Sequence, residues 1–520
     1  MEGRKYPLGI QTFENVIKGN YVYVDKTALV YQVVHENKYC FLSRPRRFGK
    51  SLLVTTLQAY FEGKKELFEG LAIEQLEQEW ISYPVIHLDL SKGKFYDLDS
   101  LHATLNSLLM EYEKRYSLEV ESERAYNVRL QNIIEAAYAQ TGKEVVVLID
   151  EYDAPMHDSM KDEKLQEQIR DRMRNFFSPL KGEEKILRFV FLTGISKFSQ
   201  LSIFSELNNI TNISMLDKYS DICGVSKEEL LTLFEDDIKA LAEDNEITYE
   251  EALAELKHQY DGYHFSGKGK DMYNPYSLFH TLKNNEFGEY WFSTGTPTFL
   301  IELLQKKHLD MLGLDEITAT AGRFDTPTEK LTDPVPVLYQ SGYLTIKGYN
   351  RRSKLFKLGF PNSEVKTGFS DSLFRYYAPD NMGDKDALYA AYFDCLVDHD
   401  DMDAFLPHLQ TFYKKFPYTL VNNNERHYQA VLYTCLLMVG ADVRPEVPTA
   451  DGRIDMVLYT KMSIYVLELK YEQDALVAMQ QIDDKDYAAA FAEDGRKVYK
   501  VGINFSADRR SIESWKITSC

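Results

Sequence analysis

The sequence lacks a cysteine framework and has few cysteines overall. Its five cysteines, Cys40, Cys223, Cys395, Cys435 and Cys520, are scattered along 520 residues and form no Cys-x-x-Cys pair. This pattern argues against a zinc site or a disulfide framework. It fits a reducing compartment, so we expect a cytoplasmic protein.

Long apolar runs and an excess of positive charge are also missing. No run of 18 apolar residues and no signal-peptide pattern is present, so we expect a protein that is neither exported nor inserted in a membrane. The chain has 60 Lys and Arg against 80 Asp and Glu, a formal net charge of −20. Such a chain is a poor non-specific binder of nucleic acid, and any such contact needs local basic patches. At this length we expect about two to four domains.

The stretch Phe41–Leu53, FLSRPRRFGKSLL, has the order of a strand, a basic loop and a helix. In a phosphate-binding loop of this order, amides at the helix N-terminus face the anion, the lysine reaches the phosphates and the hydroxyl binds Mg²⁺. Gly49, Lys50 and Ser51 are therefore candidate ligands of ATP and Mg²⁺. Arg44 stands where the pattern GxxxxGK[ST] has its first glycine, and a side chain there could crowd the loop. The alternative is an ordinary basic loop capped by Ser51.

Two further arginines, Arg46 and Arg47, lie in the same loop. One of them could supply the positive charge that loop amides would otherwise give to the phosphates. The alternative is a contact with a neighbouring subunit.

Two apolar runs further along the chain end in polar residues. Glu144–Tyr152, EVVVLIDEY, reads as a buried parallel strand with two acids at its carboxyl end. Asp150 would hold the water shell of Mg²⁺, and Glu151 would polarise the attacking water. Leu187–Thr193 predicts another strand, and Thr193 at its end is a candidate nucleotide contact. The three strands in this order predict a P-loop NTPase.

The middle of the chain is predicted to be mostly helical. Ser226 is expected to cap a helical stretch that reaches Gln259. Val335–Phe360 predicts a helix followed by a two-stranded hairpin, the outline of a winged helix, with Arg351 and Arg352 at its tip. These arginines are either a DNA contact or a solvated basic turn. Near the N-terminus, residues 6–27 either cover the adenine or form a surface loop.

The last hundred residues predict a different chemistry. Arg453–Tyr459 and Ile464–Lys470 read as strands of one hairpin. Because side chains alternate along a strand, Glu468 and Lys470 share a face, and Asp455 can converge on them. Two carboxylates and a lysine are what metal-assisted phosphodiester hydrolysis requires. Surface ion pairs would give the same pattern, but Glu468 lies within an apolar strand, where an unpaired carboxylate is costly.

Two more residues are candidates for this site. Gln481, on the helix that follows, could reach it, and Glu425, on the preceding helix, could be a further metal ligand.

Together these stretches resemble the AAA-ATPase-like family found in bacteria, often fused to a nuclease-like domain of the PD-(D/E)XK superfamily. The resemblance covers nearly the whole chain, and the Arg in place of the first loop glycine is part of the family pattern. No Pro-Asp precedes the second nuclease strand, where Arg-Ile-Asp455 stands instead. The matching stretches are YVDKT (23–27), RPRRFGKS (44–51), LIDEYD (148–153), LTGISKFS (192–199), YDGYHF (260–265), YNPYS (273–277), SGYLTI (341–346), GRID (452–455), LELK (467–470) and QIDDKDYA (481–488).

The resemblance implies an α/β fold with three parts in order. A P-loop parallel sheet comes first, then a helical and winged-helix middle region, then a C-terminal α/β restriction-endonuclease-like domain. The expected bounds are 1–215 for the ATPase-like domain, 216–370 for the helical lid and winged helix, 371–415 for a helical connector and 416–520 for the nuclease-like domain.

The expected function is an ATP-binding, ATP-hydrolysing protein coupled to a Mg²⁺-dependent nuclease. The expected partner is nucleic acid, with DNA favoured over RNA, and a homo-oligomer is an open alternative. The rival hypothesis is a nucleotide-switched binding or regulatory protein whose nuclease fold no longer cuts. An NTPase that acts on proteins would leave the C-terminal carboxylates without a role.

Overall fold

The computed structural model describes residues 4–160, 162–196, 209–293, 300, 312–314, 316–325, 333–377, 382–414, 424–450 and 452–520. The chain divides into two compact units. The first unit comprises Met1–Thr294 and Thr318–Glu364, and the second comprises Gly295–Ile317 and Val365–Cys520. The finer domain bounds expected from the sequence stay predictions. Within the described ranges, no helix is long and apolar enough to cross a membrane.

The first unit contains a five-stranded parallel sheet, as predicted. The strand order is β2-β3-β4-β1-β5, so β4 lies between the strand of the phosphate loop and the strand that ends in two acids. All six residues of β3 are buried, which explains its continuous apolar run. Because the strands are parallel, the carboxyl ends of β1, β3 and β4 meet at one edge of the sheet. The strands are β1 (Tyr39–Ser43), β2 (Val85–Asp89), β3 (Val145–Asp150), β4 (Leu187–Gly194) and β5 (Thr211–Asn212).

Helices follow the strands of this sheet, and the helix after the phosphate loop begins directly at Lys50. Short 3₁₀ helices join several of them. The α-helices are α1 (Phe13–Lys18), α2 (Thr27–Glu36), α3 (Lys50–Phe61), α4 (Leu98–Arg115), α5 (Tyr126–Thr141), α6 (Ala154–Asp158), α7 (Glu163–Phe177) and α8 (Pro179–Gly182). The 3₁₀ helices are Lys65–Phe68, Ala72–Gln75, Leu90–Lys92, Glu184–Ile186 and Asp217–Tyr219.

The middle of the chain is helical, with two small three-stranded sheets. The predicted capping box is present, since the Ser226 side chain accepts a hydrogen bond from the Glu229 N–H and Glu229 bonds back to the Ser226 N–H. The predicted hairpin is formed by β10 and β11. The helices are α9 (Lys227–Leu233), α10 (Glu235–Asp244), α11 (Tyr249–Tyr260), α12 (Pro275–Asn284), α13 (Tyr290–Ser293), α14 (Ala321–Phe324), α15 (Val335–Ser341) and α16 (Ser363–Tyr377). The strands are β6 (Val225–Ser226), β7 (Tyr263–His264), β8 (Asp271–Tyr273), β9 (Ile317–Thr320), β10 (Thr345–Asn350) and β11 (Leu355–Gly359).

The second unit is built on a mixed five-stranded sheet in the order β12-β13-β14-β15-β16. Strands β14 and β15 are parallel, and the other neighbours are antiparallel. The strands are β12 (Asp442–Pro448), β13 (Arg453–Tyr459), β14 (Ser463–Tyr471), β15 (Lys497–Ser506) and β16 (Ser511–Ser519). The helices are α17 (Met382–Tyr392), which continues as a π-helix at Phe393–Asp398, α18 (Met402–Tyr413), α19 (Glu425–Met438), α20 (Ala475–Asp484) and the 3₁₀ helix Tyr487–Phe491.

Candidate nucleotide and metal sites

The phosphate loop joins β1 to α3 and turns through two left-handed residues. Gly49 precedes the helix with a φ of 88°, and Arg47 has a φ of 68°. A glycine adopts this conformation at low cost, whereas an arginine is held there by its surroundings. The turn brings the N-terminus of α3, with its unpaired N–H groups, to the carboxyl edge of the sheet.

Arg44 does not crowd the loop, because its guanidinium is buried away from it. The residue is 2% exposed. Its Nη1 donates to the carbonyls of Ser43 and Ser214 at 2.9 and 2.8 Å, and its Nη2 donates to the Tyr219 carbonyl at 3.1 Å. The guanidinium carbon also lies 4.2 Å from the centre of the Phe265 ring. The arginine in the place of the first glycine therefore ties the loop to a neighbouring segment.

Lys50, Ser51, Asp150 and Glu151 converge at the start of α3. The Lys50 ammonium lies 3.3 Å from the Pro45 carbonyl and 3.4 Å from Glu151 Oε1. Asp150 is 3% exposed, and the Ser51 hydroxyl lies close enough to its carboxyl group to lower its pKa. Burial raises the pKa of Asp150 to about 7, the Glu151 charge adds to this, and Ser51 and Lys50 oppose it.

Glu151 has a left-handed backbone, with a φ of 49°. For a residue with a Cβ this conformation is strained, and such strain is common where a side chain is aimed into a site. Here it turns the Glu151 carboxylate toward Lys50.

A cavity of about 390 Å³ opens beside this cluster. Arg46 and Arg47 are exposed and line it, as do Gly49, Lys50 and Ser51. A second, mainly apolar cavity of about 80 Å³ shares Pro7, Gly49, Leu52, Pro275 and Phe279 with the first. Residues 22–24 also line it, so the N-terminal segment lies beside the phosphate loop.

Thr193, predicted as a nucleotide contact, lies at the end of β4 but not in the lining of either cavity. It is fully buried, and its hydroxyl donates to the Leu42 carbonyl at 2.8 Å. The observed contact joins β4 to β1.

A polar cluster at the same edge, formed by Asp153, His157 and Ser196, was missed by the sequence reasoning. The buried Asp153 Oδ2 accepts hydrogen bonds from the Ser196 N–H at 2.7 Å and the Ser196 hydroxyl at 2.8 Å, and lies 3.0 Å from His157 Nε2. Burial opposes the charge on Asp153, but His157 and the hydrogen bonds outweigh it and hold the pKa of Asp153 below its ordinary value. A Cβ on Gly194 would lie 2.2 Å from Asp153 Oδ1, so glycine is required there. The available signal was an acid one turn before a histidine, two residues after Glu151.

In the second unit the structure brings Asp455, Glu468 and Lys470 together. Asp455 Oδ2 accepts a hydrogen bond from the Leu469 N–H at 2.8 Å. Glu468 is 1% exposed, and the Lys470 ammonium donates to its Oε1 at 3.0 Å. Burial raises the pKa of Glu468 to about 7, Asp455 adds to this, and Lys470 opposes it. Burial likewise raises the pKa of Asp455 to about 6, against the Leu469 N–H and Lys470.

Other residues surround this cluster to different degrees. Glu425 lies close enough to raise the pKa of both carboxyl groups. Gln429, which the sequence reasoning missed, donates to the Asp455 carbonyl at 2.9 Å and to Glu446 at 2.8 Å. Gln481 lies on α20, and no hydrogen bond joins its side chain to the cluster within the described part of the chain.

The donor set fits a single divalent cation with two protein carboxylates. Glu468 Oε2 is buried and has no hydrogen-bond partner in the described ranges, as expected for an oxygen that a cation would meet. Within these ranges, however, no three His, Cys, Asp or Glu side chains are grouped to hold a metal. The remaining ligands would therefore be backbone carbonyls, waters or substrate oxygens.

The fold and these two sites define a chain with a P-loop ATPase-like part and a nuclease-like part. A family described as "Predicted AAA-ATPase" matches residues 7–204, and the "PD-(D/E)XK nuclease superfamily" matches residues 423–515. The chain belongs to the AAA-ATPase-like family with a C-terminal PD-(D/E)XK nuclease superfamily domain, as the sequence predicted.

A relative and a solved structure were also found. The chain is 34% identical over 542 residues, with 100% of both chains covered, to a protein of Azotobacter chroococcum mcd 1 described as "Uncharacterized protein in vnfD 5'region". The Aeropyrum pernix ORC2 protein, solved as ADPNP–ADP complexes, is 12% identical, and the match covers 69% of this chain and 98% of that one. Its TM-score of 0.27 is too low to carry an inference about this chain.

We predict that Arg44→Gly, which restores the glycine of the usual loop, lowers the free energy of unfolding by about 2 to 4 kcal/mol because buried carbonyls lose a charged donor. Arg47→Gly in the same loop is the matched control. Its side chain is exposed and its φ is positive, so a change within about 1 kcal/mol is expected. Urea denaturation of both variants measures this. An Arg44→Gly variant as stable as wild type would show that the guanidinium contacts are not structural.

Proposed function

We propose that the first unit binds and hydrolyses ATP with Mg²⁺. The observation that carries this is the convergence of Lys50, Ser51, Asp150 and Glu151 at the N-terminus of α3, beside a cavity large enough for a nucleotide. Among the described residues, the Lys50 ammonium makes polar contacts with the Pro45 carbonyl and with Glu151 at the mouth of this cavity. Its charge is thus available for the β and γ phosphates.

Each residue of this site has a distinct role in the proposal. Ser51 and Asp150 hold Mg²⁺ directly or through its waters, and Mg²⁺ supplies neutralisation of phosphate charge. Glu151 accepts the proton of the attacking water. The exposed Arg46 and Arg47 add positive charge at the phosphates. Thr193 remains a predicted nucleotide contact that would act through the backbone of β4.

The adenine base of ATP would have a suitable cavity beside the phosphate site. The second cavity is lined mainly by apolar side chains from four stretches of the first unit, 7–26, 48–56, 222–225 and 275–279, and it adjoins Gly49. A flat adenine ring is favoured in such a cavity because its poorly hydrated faces are removed from water. This supports the hypothesis that residues 6–27 cover the adenine.

We further propose that the second unit is a metal-dependent nuclease. Asp455 and Glu468 would hold Mg²⁺, with Glu425 as a further ligand through water, and the cation would polarise water and phosphate oxygen. Lys470 would orient the attacking water or stabilise the charge on phosphorus, and Gln481 would contact the same site. The supporting observation is the buried, unpartnered oxygen of Glu468 in the described chain.

A second candidate function is favoured by one specific contact. Lys470 already pairs with Glu468, and no third metal-ligating side chain completes the described set. A nuclease fold whose carboxylate is already paired with its own lysine fits a nucleotide-switched binding protein that does not cut. Cleavage assays separate the two.

Nucleic acid as the partner is supported by the β10–β11 hairpin. Residues 345–360 contain five basic residues and no acid, in a chain with a net charge of −20. Arg351, Arg352, Lys354 and Lys357 are exposed, and none has an ion-pair partner in the described chain. Unpaired cations on a rigid hairpin suit phosphate contacts, as in the wing of a winged helix. DNA is favoured over RNA. A bacterial source fits the family, and a cytoplasmic setting fits the scattered, unpaired cysteines.

For the nucleotide site, we predict that Lys50→Ala weakens ATP binding at least about 100-fold, because a charged phosphate contact is lost. Glu151→Gln should bind ATP within about twofold of wild type but lose turnover by about 10² to 10⁴. Calorimetry and phosphate release measure the two effects, with the exposed Lys65→Ala as control. Undiminished ATP binding by Lys50→Ala would refute the nucleotide site. Undiminished turnover by Glu151→Gln would show that another residue is the general base.

For the nuclease site, we predict that Glu468→Gln reduces Mg²⁺- or Mn²⁺-dependent cleavage at least about 100-fold, because a metal ligand is replaced by an amide of equal size. ATP affinity should not change, since the residue lies in the other unit. A panel of DNA and RNA substrates, with and without ATP, measures cleavage, and the exposed Glu493→Ala is the control. If wild type cuts none of them with either metal while binding them, the binding-protein candidate replaces the nuclease.

A further inference from the structure

A buried carboxylate near the end of the first unit, Glu364, has no role in the sites described so far. It lies in the first turn of α16 and is 3% exposed. The Ser277 hydroxyl lies 3.0 and 2.8 Å from its two oxygens, and the Trp291 backbone N–H donates to Oε1 at 2.7 Å. Burial raises the pKa of Glu364 to about 7 in spite of these donors. Burying a carboxylate costs free energy that an alanine at this position would avoid, so the presence of Glu364 calls for an explanation.

The Trp291 backbone N–H, one of these donors, belongs to a residue that also contacts the phosphate loop. Trp291 is 5% exposed, and its indole Nε1–H donates to the Arg46 carbonyl at 3.1 Å. One residue thus bonds Glu364 with its backbone and the loop with its side chain. Arg46 lies in the loop, and its exposed side chain lines the large cavity. The bond to its carbonyl therefore fixes the backbone position from which the Arg46 side chain extends.

The Ser277 hydroxyl, the other donor, lies on the helix that contacts the second arginine of the loop. Ser277 lies in the first turn of α12, directly after Tyr276. The guanidinium carbon of Arg47 lies 4.8 Å from the centre of the Tyr276 ring, and both side chains line the cavity. The start of α12 is held by Asn274, whose Oδ1 accepts the Tyr276 N–H at 2.9 Å. Hydrogen bonds through Trp291 therefore link Glu364 to Arg46. The first turn of α12 links Glu364 to Arg47.

We propose that Glu364 is a positioning residue of the nucleotide site, which holds Arg46 and Arg47 toward the triphosphate through Trp291 and the first turn of α12. The proposal rests on the proposed ATP binding in the first unit. A loop with an arginine in place of its first glycine has lost part of its flexibility for wrapping phosphates. Two oriented guanidiniums compensate with charge and with forked donors, provided that their backbone does not move.

The proposal predicts that Glu364 acts on ATP only through the two arginines. Glu364→Ala should weaken ATP·Mg²⁺ affinity roughly tenfold in the wild-type background, the scale of one lost charge-assisted contact. In a chain that already carries Arg46→Ala and Arg47→Ala, the same substitution should have no further effect on ATP affinity. Calorimetric titration of the four full-length chains measures this, and urea denaturation reports stability separately.

A residue with a structural role alone gives a different pattern. Loss of stability with unchanged ATP affinity, or an equal loss of affinity with and without the arginines, overturns the proposal. Trp291→Phe keeps an aromatic ring and the backbone N–H that bonds Glu364, but it removes the five-membered ring with its N–H and so the bond to the Arg46 carbonyl. If Glu364→Ala does not fold, this variant tests the Arg46 arm, with a loss of ATP affinity expected only in the chain that retains Arg46. Wild-type chain that does not bind ATP overturns the proposed function itself, which distinguishes the two failures.

Discussion

Burying a carboxylate costs free energy unless a cation or hydrogen-bond donors compensate its charge. This constraint applies to the candidate sites of both units. Asp150 and Glu468 each lie in a strand of a sheet and are almost fully buried, and burial raises the pKa of each. In each case a lysine lies nearby: Lys50 contacts Glu151, the neighbour of Asp150, and Lys470 contacts Glu468. The lysines neutralise the Asp150 and Glu468 carboxylates only in part. A divalent cation bound at either carboxylate would therefore be electrostatically favoured.

The phosphate loop depends on contacts that come from outside the loop. Arg44 is fixed by carbonyls of residues about 170 positions later, and the Arg46 carbonyl is fixed by Trp291. A usual loop obtains its shape from glycines, whereas this one obtains it from the packing around it. The geometry of the nucleotide site is therefore coupled to the folding of the middle of the chain, from Ser214 to Trp291.

Local patterns in the sequence predicted the strands that carry the chemistry, and the family resemblance implied the order of the parts. The acid-terminated β3 and the hairpin of β13 and β14 are visible because burial and alternation leave a short-range signature. The additional strands β12, β15 and β16 were not predicted, since β15 mixes polar and apolar residues and its long pairing with β14 is non-local. The same reason hid the contacts of Asp153 with Ser196 and of Glu364 with Trp291. Hydrogen bonds between residues tens of positions apart leave no periodic pattern in the sequence. A buried acid in a helix also cannot be distinguished from an exposed one by its sequence alone.

The central claim is that one chain holds a nucleotide site in its first unit and a separate metal site in its second. Anomalous diffraction from crystals grown with Mn²⁺ and a non-hydrolysable ATP analogue tests this most directly. The account predicts one Mn²⁺ beside Ser51 and Asp150 with the nucleotide phosphates, and another between Asp455 and Glu468. Nucleotide bound elsewhere in the chain, or no Mn²⁺ at Asp455 and Glu468 at saturating concentration, would contradict it.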